Sequence, residues 1–300
     1  MPIMWRVLLL LICLMPSLGW ADDFRLCGRA VPGGAHRMPL PQDGRIDAHP
    51  DAPSALWSRR VEITGTDTPR DPQYCGAVLI APDWALTARH CVDHKRWFDL
   101  VYAAGTRIVG APGYGAFRRG VAAFCPLDAV PGQLGDDVAL VRLDQPMPAA
   151  APILPLADMA GMLARDPRAL SRLGSWRWAD AGRLRAPITI SPMTLRPDRR
   201  NGFLVGTRVF THKPGPCGGE SGSAVIGPIG LTPHVIGILS AVFDPKSPGG
   251  AAAAVCSRAG ARALFTPVAP HRDWISGTMA ACDADLSACL SRELTSPPQE

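Results

Sequence analysis

The sequence predicts an all-β protein made of two β-rich halves, and three observations support this prediction. Short apolar and β-branched runs recur along the chain at intervals marked by turn residues. The 30 glycines and 31 prolines suit many tight turns, and only 19% of the residues are charged. A hydrophobic fraction of 47% is enough to bury a core in each of the two units expected for 300 residues. The pattern favours a barrel or sandwich and argues against a disordered chain, a coiled coil or a helical solenoid.

The predicted strands form two series on either side of a linker. The first series consists of short β-type runs: Arg60–Thr64, Ala77–Ile80, Ala85–Thr87, Leu100–Ala103, Thr106–Gly110 and Val138–Leu143. The second series has the same character: Pro187–Ile190, Phe203–Phe210, Ser223–Ile226, Val235–Val242 and Leu264–Val268. The stretch 151–172, rich in Ala, Pro and Met, is the expected linker, with one helical segment at Ala157–Arg165. Apolar residues at helical spacing predict a final helix over Pro270–Ala281.

The first 21 residues have the features of a secretory signal peptide. Arg6 precedes the apolar run Val7–Met15, and the small residues Gly19 and Ala21 fit cleavage before Asp22. The run is short for a membrane span, so a retained N-terminal anchor is the less favoured alternative. We therefore expect a secreted or periplasmic protein with no membrane span after signal removal. Residues 22–45 lack a strand or helix period and are expected to form an irregular leader or pro-segment.

Charge and cysteine content narrow the class of protein. The formal net charge of +5 is mildly basic and comes without a dense Lys/Arg block, so a nucleic-acid partner is not indicated. Of the nine cysteines, Cys13 leaves with the signal and eight remain. An even number of cysteines in an exported chain predicts disulfides rather than free thiols or zinc ligands.

Three segments carry the groups that amide hydrolysis requires: a nucleophile, a base, a carboxylate to orient the base, and N–H donors for the oxyanion. Leu86–Cys91 places His90 after a predicted strand, and Asp136–Leu143 opens an apolar strand with carboxylates. Cys217–Ser223 is a glycine-rich turn that contains Ser221. Each segment alone has an ordinary structural explanation, but their order along the chain, His then Asp then Ser, matches one convergent solution to triad chemistry.

These segments resemble the chymotrypsin-like (trypsin-fold) secreted serine peptidases from about Ile46 to Ala281. The resemblance implies two packed six-stranded antiparallel Greek-key barrels with a C-terminal helix, and no metal or organic cofactor. Together with the signal and leader, it divides the chain into a signal peptide (1–21), a leader or pro-segment (22–45), an N-terminal barrel (46–155), a C-terminal barrel with its helix (156–281) and a tail (282–300). A protein or peptide substrate is the expected partner, and a protein inhibitor is a further partner class.

The resemblance also implies roles for individual residues. His90 is the general base, Asp137 orients it and Ser221 is the nucleophile. Asp136 is the rival of Asp137, which we prefer because it directly precedes the apolar-Ala-Leu step of the family. The backbone N–H groups of Gly219 and Ser221 are expected to form the oxyanion hole.

Two disulfides follow from the resemblance, Cys75–Cys91 and Cys217–Cys256. The remaining four cysteines allow three pairings. We favour Cys282–Cys289, which are close in sequence, and this leaves Cys27 with Cys125.

The chain departs from the family pattern at three places. Arg89 stands where the family usually has Ala. Arg45–Ile46 is a degraded version of the family's activation site, where the new N-terminus at Ile46 would pair with Glu220. The residues of the expected substrate pocket are Gly215, Pro216, Ser240, Ala241 and Val242. The pocket lacks the aspartate that selects basic residues, and Val242 is expected to narrow it. We therefore predict cleavage after small or medium apolar residues.

Three rival interpretations remain open from the sequence. An α/β-hydrolase would use Ser221, Asp244 and His271 in that order, but it requires long helices alternating with strands. His90 and His94 lie four residues apart, as two metal ligands on a helix would, although no third ligand is evident. The third alternative is a catalytically inactive trypsin-fold module that serves in binding or as a scaffold.

Overall fold

A computed structural model describes residues 24–29, 60–66, 73–93, 97–103, 115–129, 133–147, 153–158, 171–172, 178–179, 183–184, 191–208, 221–229, 232–246 and 260–292. The predicted signal peptide and the predicted strands Thr106–Gly110 and Pro187–Ile190 lie outside these residues. So does most of the predicted helix Ala157–Arg165, of which residues 157–158 are described and are not helical. None of the helices in the described residues is long and apolar enough to cross a membrane.

The first antiparallel sheet contains seven strands: β1 (Phe24–Arg29), β2 (Arg60–Thr66), β3 (Gln73–Ala81), β4 (Trp84–Thr87), β5 (Trp97–Ala103), β6 (Gly115–Pro126) and β7 (Ala139–Leu143). Their order is β1-β6-β5-β2-β3-β4-β7, and β6 also pairs with β7. Residues 115–119 of β6 pair with β5, whereas residues 120–124 pair with β7. Because β6 pairs with β5 along one part of its length and with β7 along another, the six strands β2 to β7 form a closed ring. Strand β1 adds to this ring by pairing with β6.

The following strands are β8 (Ser171–Arg172), β9 (Trp178–Ala179), β10 (Arg183–Leu184), β11 (Ser191–Asp198), β12 (Phe203–Arg208), β13 (Ala224–Ile229), β14 (Thr232–Phe243) and β15 (Arg262–Pro267). Six of them form the second sheet, a closed antiparallel barrel in the order β11-β12-β15-β14-β13-β8, and β9 and β10 form a separate two-stranded sheet. The fold class expected from the sequence is therefore confirmed: the protein is mostly β, with two antiparallel sheets and a C-terminal helix.

Aromatic and branched side chains fill the interior of each sheet. In the first, Phe124 of β6 packs edge-on against Phe24, with ring centroids 5.5 Å apart, and lies 5.9 Å from Trp84. In the second, Ile238 and Phe265 are fully buried on neighbouring strands. Burial of this kind stabilises the fold by roughly 25 cal/mol for each Å² of apolar surface removed from water.

Residues 24–29 correct one expectation. The sequence predicted an irregular leader, with strands beginning only after it, but β1 pairs with β6 and its Phe24 and Leu26 are buried. The strand was missed because Arg25, Gly28 and Arg29 break the apolar run. The pairing depends on β6, about a hundred residues later in the chain.

The C-terminus corrects a second expectation. Helix α1 (Arg272–Ala284) confirms the predicted helix except for its first two residues, which lie in a 3-10 turn, Ala269–His271. A further helix, α2 (Leu286–Ser291), follows it. The Trp84 indole donates a hydrogen bond to Asp283 of α1 at 3.1 Å. Nη1 of Arg292 donates to the carbonyl of Phe24 at 2.9 Å. Residues 282–292, which are part of the expected tail 282–300, are therefore packed on the first sheet.

Candidate active site

His90 lies in a short 3-10 helix, Arg89–Cys91, that directly follows β4. The N–H groups of Cys91 and Val92 donate to the carbonyls of Ala88 and Arg89 at 3.1 and 3.0 Å. A disulfide between Cys91 and Cys75 attaches this turn to β3. The backbone around His90 is thus fixed, while its side chain is 48% exposed and open to a substrate.

Asp137 lies between a 3-10 helix, Leu134–Asp136, and β7. One of its oxygens, Oδ2, is 2.7 Å from Nδ1 of His90, and the other, Oδ1, accepts the backbone N–H of His90 at 3.0 Å. The hydroxyl of Ser240, on β14, donates to Oδ2 at 2.5 Å. Asp137 therefore faces His90 with both oxygens engaged, whereas the rival Asp136 belongs to the preceding 3-10 turn.

The surroundings of Asp137 favour its ionised form. Burial alone raises its pKa, but the hydrogen bond and charge of the His90 ring, together with the hydrogen bonds from Ser240 and the His90 backbone, lower the pKa below its ordinary 3.8. An ionised carboxylate can only accept hydrogen bonds, so Nδ1 of His90 is the donor. This tautomer leaves Nε2 as the atom that can accept a proton.

Ser221 begins a turn that leads into β13, and this turn packs on the strands that support His90. The carbonyl of Ser221 accepts the N–H of Gly76 at 2.6 Å, and the N–H of Gly222 donates to Leu239 at 2.7 Å. Gly222 has a φ of +84°, and a Cβ there would be 2.1 Å from the Gly76 carbonyl oxygen. The hydroxyl of Thr87, three residues before His90, donates to that same oxygen at 2.8 Å and so holds it in place against an added Cβ. Only glycine therefore fits at 222.

The loop that carries Asp137 is held by the second barrel. Oγ1 of Thr266, on β15, donates to the carbonyl of Leu134 at 2.6 Å. Nε2 of His271 is 2.9 Å from the carbonyl of Gly135. Sequence reasoning missed both supporting residues; the only signal for Thr266 was a hydroxyl within the otherwise apolar run Leu264–Val268.

The structure describes part of the expected substrate pocket. Besides Ser240, β14 carries Ala241 and Val242, which are partly exposed beyond a register shift in the pairing with β15. The other expected pocket, oxyanion and activation residues lie outside the described residues: Ile46, Gly215, Pro216, Gly219 and Glu220.

The described residues contain three disulfides: Cys27–Cys125, Cys75–Cys91 and Cys282–Cys289. This is the arrangement that the sequence analysis favoured for these six cysteines. Cys217 and Cys256, expected to pair with each other, lie outside the described residues.

The structure also bears on the rival interpretations. The antiparallel sheets contradict the α/β-hydrolase, and His271 contacts the Gly135 carbonyl of the loop that carries Asp137. His94 lies outside the described residues. In the described part of the chain, the two groups of potential metal ligands are Cys75, His90, Cys91 and Cys27, Asp93, Cys125, and each includes both cysteines of a disulfide. Neither group therefore offers a free thiolate.

Comparison with known proteins gives matches over most of the chain. The family model Trypsin matches residues 48–275. Serine protease SP24D of Anopheles gambiae is 27% identical over 225 residues, 71% of this chain and 78% of the relative. Beta-fibrinogenase mucrofibrase-4 of Protobothrops mucrosquamatus is 26% identical over 232 residues, 70% of this chain and 79% of the relative. Serine protease 56 of Homo sapiens is 25% identical over 289 residues, 91% of this chain but 45% of the relative.

Proposed function

Because this chain belongs to the trypsin family of serine proteases, we propose that it is an active endopeptidase with His90, Asp137 and Ser221 as its triad. The observation that carries the proposal is the double contact between Asp137 and His90. The carboxylate accepts both the ring Nδ1–H at 2.7 Å and the backbone N–H at 3.0 Å. An orienting carboxylate in a triad needs this geometry, because it must hold the imidazole in one tautomer and one orientation.

In the proposed mechanism, Ser221 Oγ attacks the carbonyl carbon of the substrate while Nε2 of His90 takes the hydroxyl proton. The buried carboxylate of Asp137 stabilises the imidazolium that forms. The backbone N–H groups of Gly219 and Ser221 would hold the oxyanion of the tetrahedral intermediate. His90 then gives the proton to the departing amine, which leaves an acyl ester on Ser221. Water then attacks this ester while His90 takes its proton, and His90 returns that proton to Ser221 Oγ as the acid leaves, which regenerates the Ser221 hydroxyl.

Labelling with a fluorophosphonate tests this mechanism, because the reagent reacts with a serine hydroxyl only when a base activates it. We expect wild type to be labelled and Ser221→Ala to be unlabelled. Asp137→Asn is expected to lower kcat about 10,000-fold. Ser223→Ala is the matched control, since Ser223 lies in the same turn but is buried. A folded wild type that resists labelling would instead support the inactive binding or scaffold module.

We also propose that cleavage follows small or medium apolar residues. A trypsin-like pocket for Arg or Lys needs a buried counter-charge, and Gly215 offers none. Val242, which we expect to narrow the pocket, lies on β14 two residues beyond Ser240. A peptide library digested by the protein is expected to show Ala, Val or Leu before the cleaved bond. A profile dominated by Arg or Lys would refute this specificity.

We also propose that cleavage between Arg45 and Ile46 activates the enzyme, with Glu220 as the partner of the new N-terminus. N-terminal sequencing of the active protein tests it directly. A chain that begins at Ile46 supports it, and full activity in a chain that begins at Asp22 contradicts it.

We propose that the protein is exported, either to the periplasm or outside the cell. The signal-like residues 1–21 and the three described disulfides support this, since disulfides persist in oxidising compartments. Its substrates would be proteins or peptides, and a protein inhibitor would bind the same cleft.

A further inference from the structure

Three charged side chains form a cluster beside His90: the buried Arg25 of β1, the buried Arg89 of the His90 turn, and the partly buried Asp93 just after it. Arg25 bonds both carboxylate oxygens of Asp93, with Nη2–Oδ2 and Nη1–Oδ1 distances of 2.9 and 3.2 Å. Nε of Arg89 is 3.9 Å from the same carboxylate, and its Nη1 donates to the carbonyl of Ala129 at 2.9 Å. Both arginines are buried. A two-pronged contact between a guanidinium and a carboxylate fixes orientation as well as distance.

The cluster holds the backbone on both sides of His90. Arg89 precedes His90, and the N–H of Asp93 donates to the carbonyl of Arg89 at 2.8 Å. The Arg89 side chain reaches Ala129, just beyond the end of β6, and the Asp93 side chain reaches β1. The His90 ring is 48% exposed and bonds Asp137 through Nδ1, so the position of its backbone affects how well the ring meets Asp137.

Strand β1 is itself firmly attached to the sheet. Cys27 forms a disulfide with Cys125 of β6, and Arg25 lies opposite Cys125 in the pairing of the two strands. Phe24 and Leu26 of β1 are also buried. Arg25 therefore reaches Asp93 from a rigid support rather than from a loose N-terminal segment.

We propose that β1 is a working part of the active enzyme and that Arg25 is a positioning residue, which acts through Asp93 and Arg89 to hold His90 against Asp137. The inference rests on the proposed function and adds a residue from the segment that precedes Arg45–Ile46. It also gives a purpose to Arg89, which departs from the alanine usual in the family. If the chain is cut at Arg45–Ile46, β1 stays with the enzyme through the Cys27–Cys125 disulfide.

A role in stability alone would give a different pattern of effects. If the ion pair only stabilises the fold, its loss lowers resistance to urea and leaves the turnover of the folded enzyme unchanged. If Arg25 positions His90, its loss lowers kcat, because a small displacement of a catalytic group is costly. KM then stays unchanged, because the contacts described for the cluster join β1, Ala129 and the His90 turn.

The test compares Arg25→Met with Arg292→Met in the full chain. Both changes remove a guanidinium that contacts β1, but only Arg25 bonds Asp93. We expect Arg25→Met to lower kcat and the rate of fluorophosphonate labelling at least tenfold, with KM changed less than twofold. Arg292→Met is expected to keep both rates within twofold of wild type. Arg25→Lys, which keeps the charge but loses the two-pronged contact, is expected to recover part of the rate, and it carries the test if Arg25→Met does not fold.

A second readout does not depend on turnover. In the Ser221→Ala background, the Nδ1 proton of His90 is expected to give a downfield proton resonance because it is bonded to Asp137. Adding Arg25→Met, or Arg25→Lys if the former does not fold, should broaden this resonance or shift it upfield. An unchanged resonance together with an unchanged kcat would overturn the proposal. If wild type is not labelled, the proposed function fails, and the resonance alone then decides whether the cluster positions His90.

Discussion

At the scale of single residues, the carboxylate of Asp137 joins the two sheets. It accepts the ring and backbone N–H of His90 from the first sheet and the hydroxyl of Ser240 from the second. Hydrogen bonds to a charged group contribute about 1.5–3 kcal/mol each. The position of the base therefore depends on side chains that are distant in the sequence.

Ser240→Ala tests the contact from the second sheet. Loss of this donor weakens the hold on Asp137 without removing a triad group, so we expect kcat to fall about tenfold with little change in KM. Ser223→Ala is again the matched control, because the hydroxyl of Ser223 is buried and has no hydrogen-bond partner among the described residues. Equal kcat values for the two variants would contradict the assigned role of Ser240.

Acid unfolding tests the electrostatics of Asp137. Its pKa is raised by burial but lowered further by hydrogen bonds and by the charge of His90, so the folded-state value lies below 3.8. The lowered pKa means that ionised Asp137 adds to the free energy of unfolding. This contribution is fully present above the ordinary pKa and is lost as the pH falls through the folded-state pKa.

We therefore compare the free energy of unfolding of wild type with that of Asp137→Asn. The advantage of wild type is expected to be smaller at about pH 2 than at about pH 5. Urea unfolding at constant salt measures both values. A difference that does not change with pH would show that Asp137 is not stabilised in its ionised form.

At the scale of structural elements, the turn Ser221–Ser223 is the point where the second barrel meets β3. Its backbone is bonded to Gly76 and Leu239, and Gly222 has a positive φ against the Gly76 carbonyl. The nucleophile is thus presented by a turn that tolerates no added Cβ.

Gly222→Ala is expected to lower the free energy of unfolding by more than about 2 kcal/mol. A left-handed conformation alone costs a non-glycine residue about 1–2 kcal/mol, and the new Cβ also collides with backbone. Labelling of the neighbouring Ser221 should slow as well. Gly260→Ala is the control, because the nearest atom to its added Cβ is Oδ1 of Asp244 at 3.7 Å. Urea unfolding of both variants measures the contrast, and equal losses of stability would contradict the argument.

At the scale of the whole molecule, a disulfide lies near each end of the described chain: one attaches β1 to β6, and the other joins α1 to α2. Cys27–Cys125 joins residues 98 apart, whereas Cys282–Cys289 joins residues 7 apart. A disulfide restricts the unfolded chain more when it closes a longer loop.

Replacing both cysteines of a pair with alanine should therefore have unequal effects. We expect a loss of about 4–5 kcal/mol for Cys27–Cys125 and about 2 kcal/mol for Cys282–Cys289 from the loop lengths. Urea unfolding under non-reducing conditions compares the two double variants. A smaller loss for the long loop would mean that β1 adds little to the fold.

Prediction from sequence succeeded where the signal was local and failed where it was not. The runs around β3, β4, β14 and β15 were found because apolar and β-branched residues dominate them. Strand β6 was missed although it is the longest of the first sheet, because arginine, glycine and alanine give its sequence a low strand preference. Strand β6 is held in its extended conformation by pairing with β1, β5 and β7.

The amino-acid sequence alone determined which chemical groups are present, their order along the chain, and the all-β character of both halves, because these depend on residue type and short-range pattern. The resemblance already implied that Ser240 supports the aspartate, and the hydrogen bond from Ser240 to Asp137 agrees with this. Only the tertiary structure decided that Asp137 rather than Asp136 faces His90, that Thr266 supports this site, and that β1 belongs to the sheet. Each of these contacts joins groups at least 47 residues apart. Such contacts depend on how strands pair and barrels pack, which short stretches of sequence do not encode.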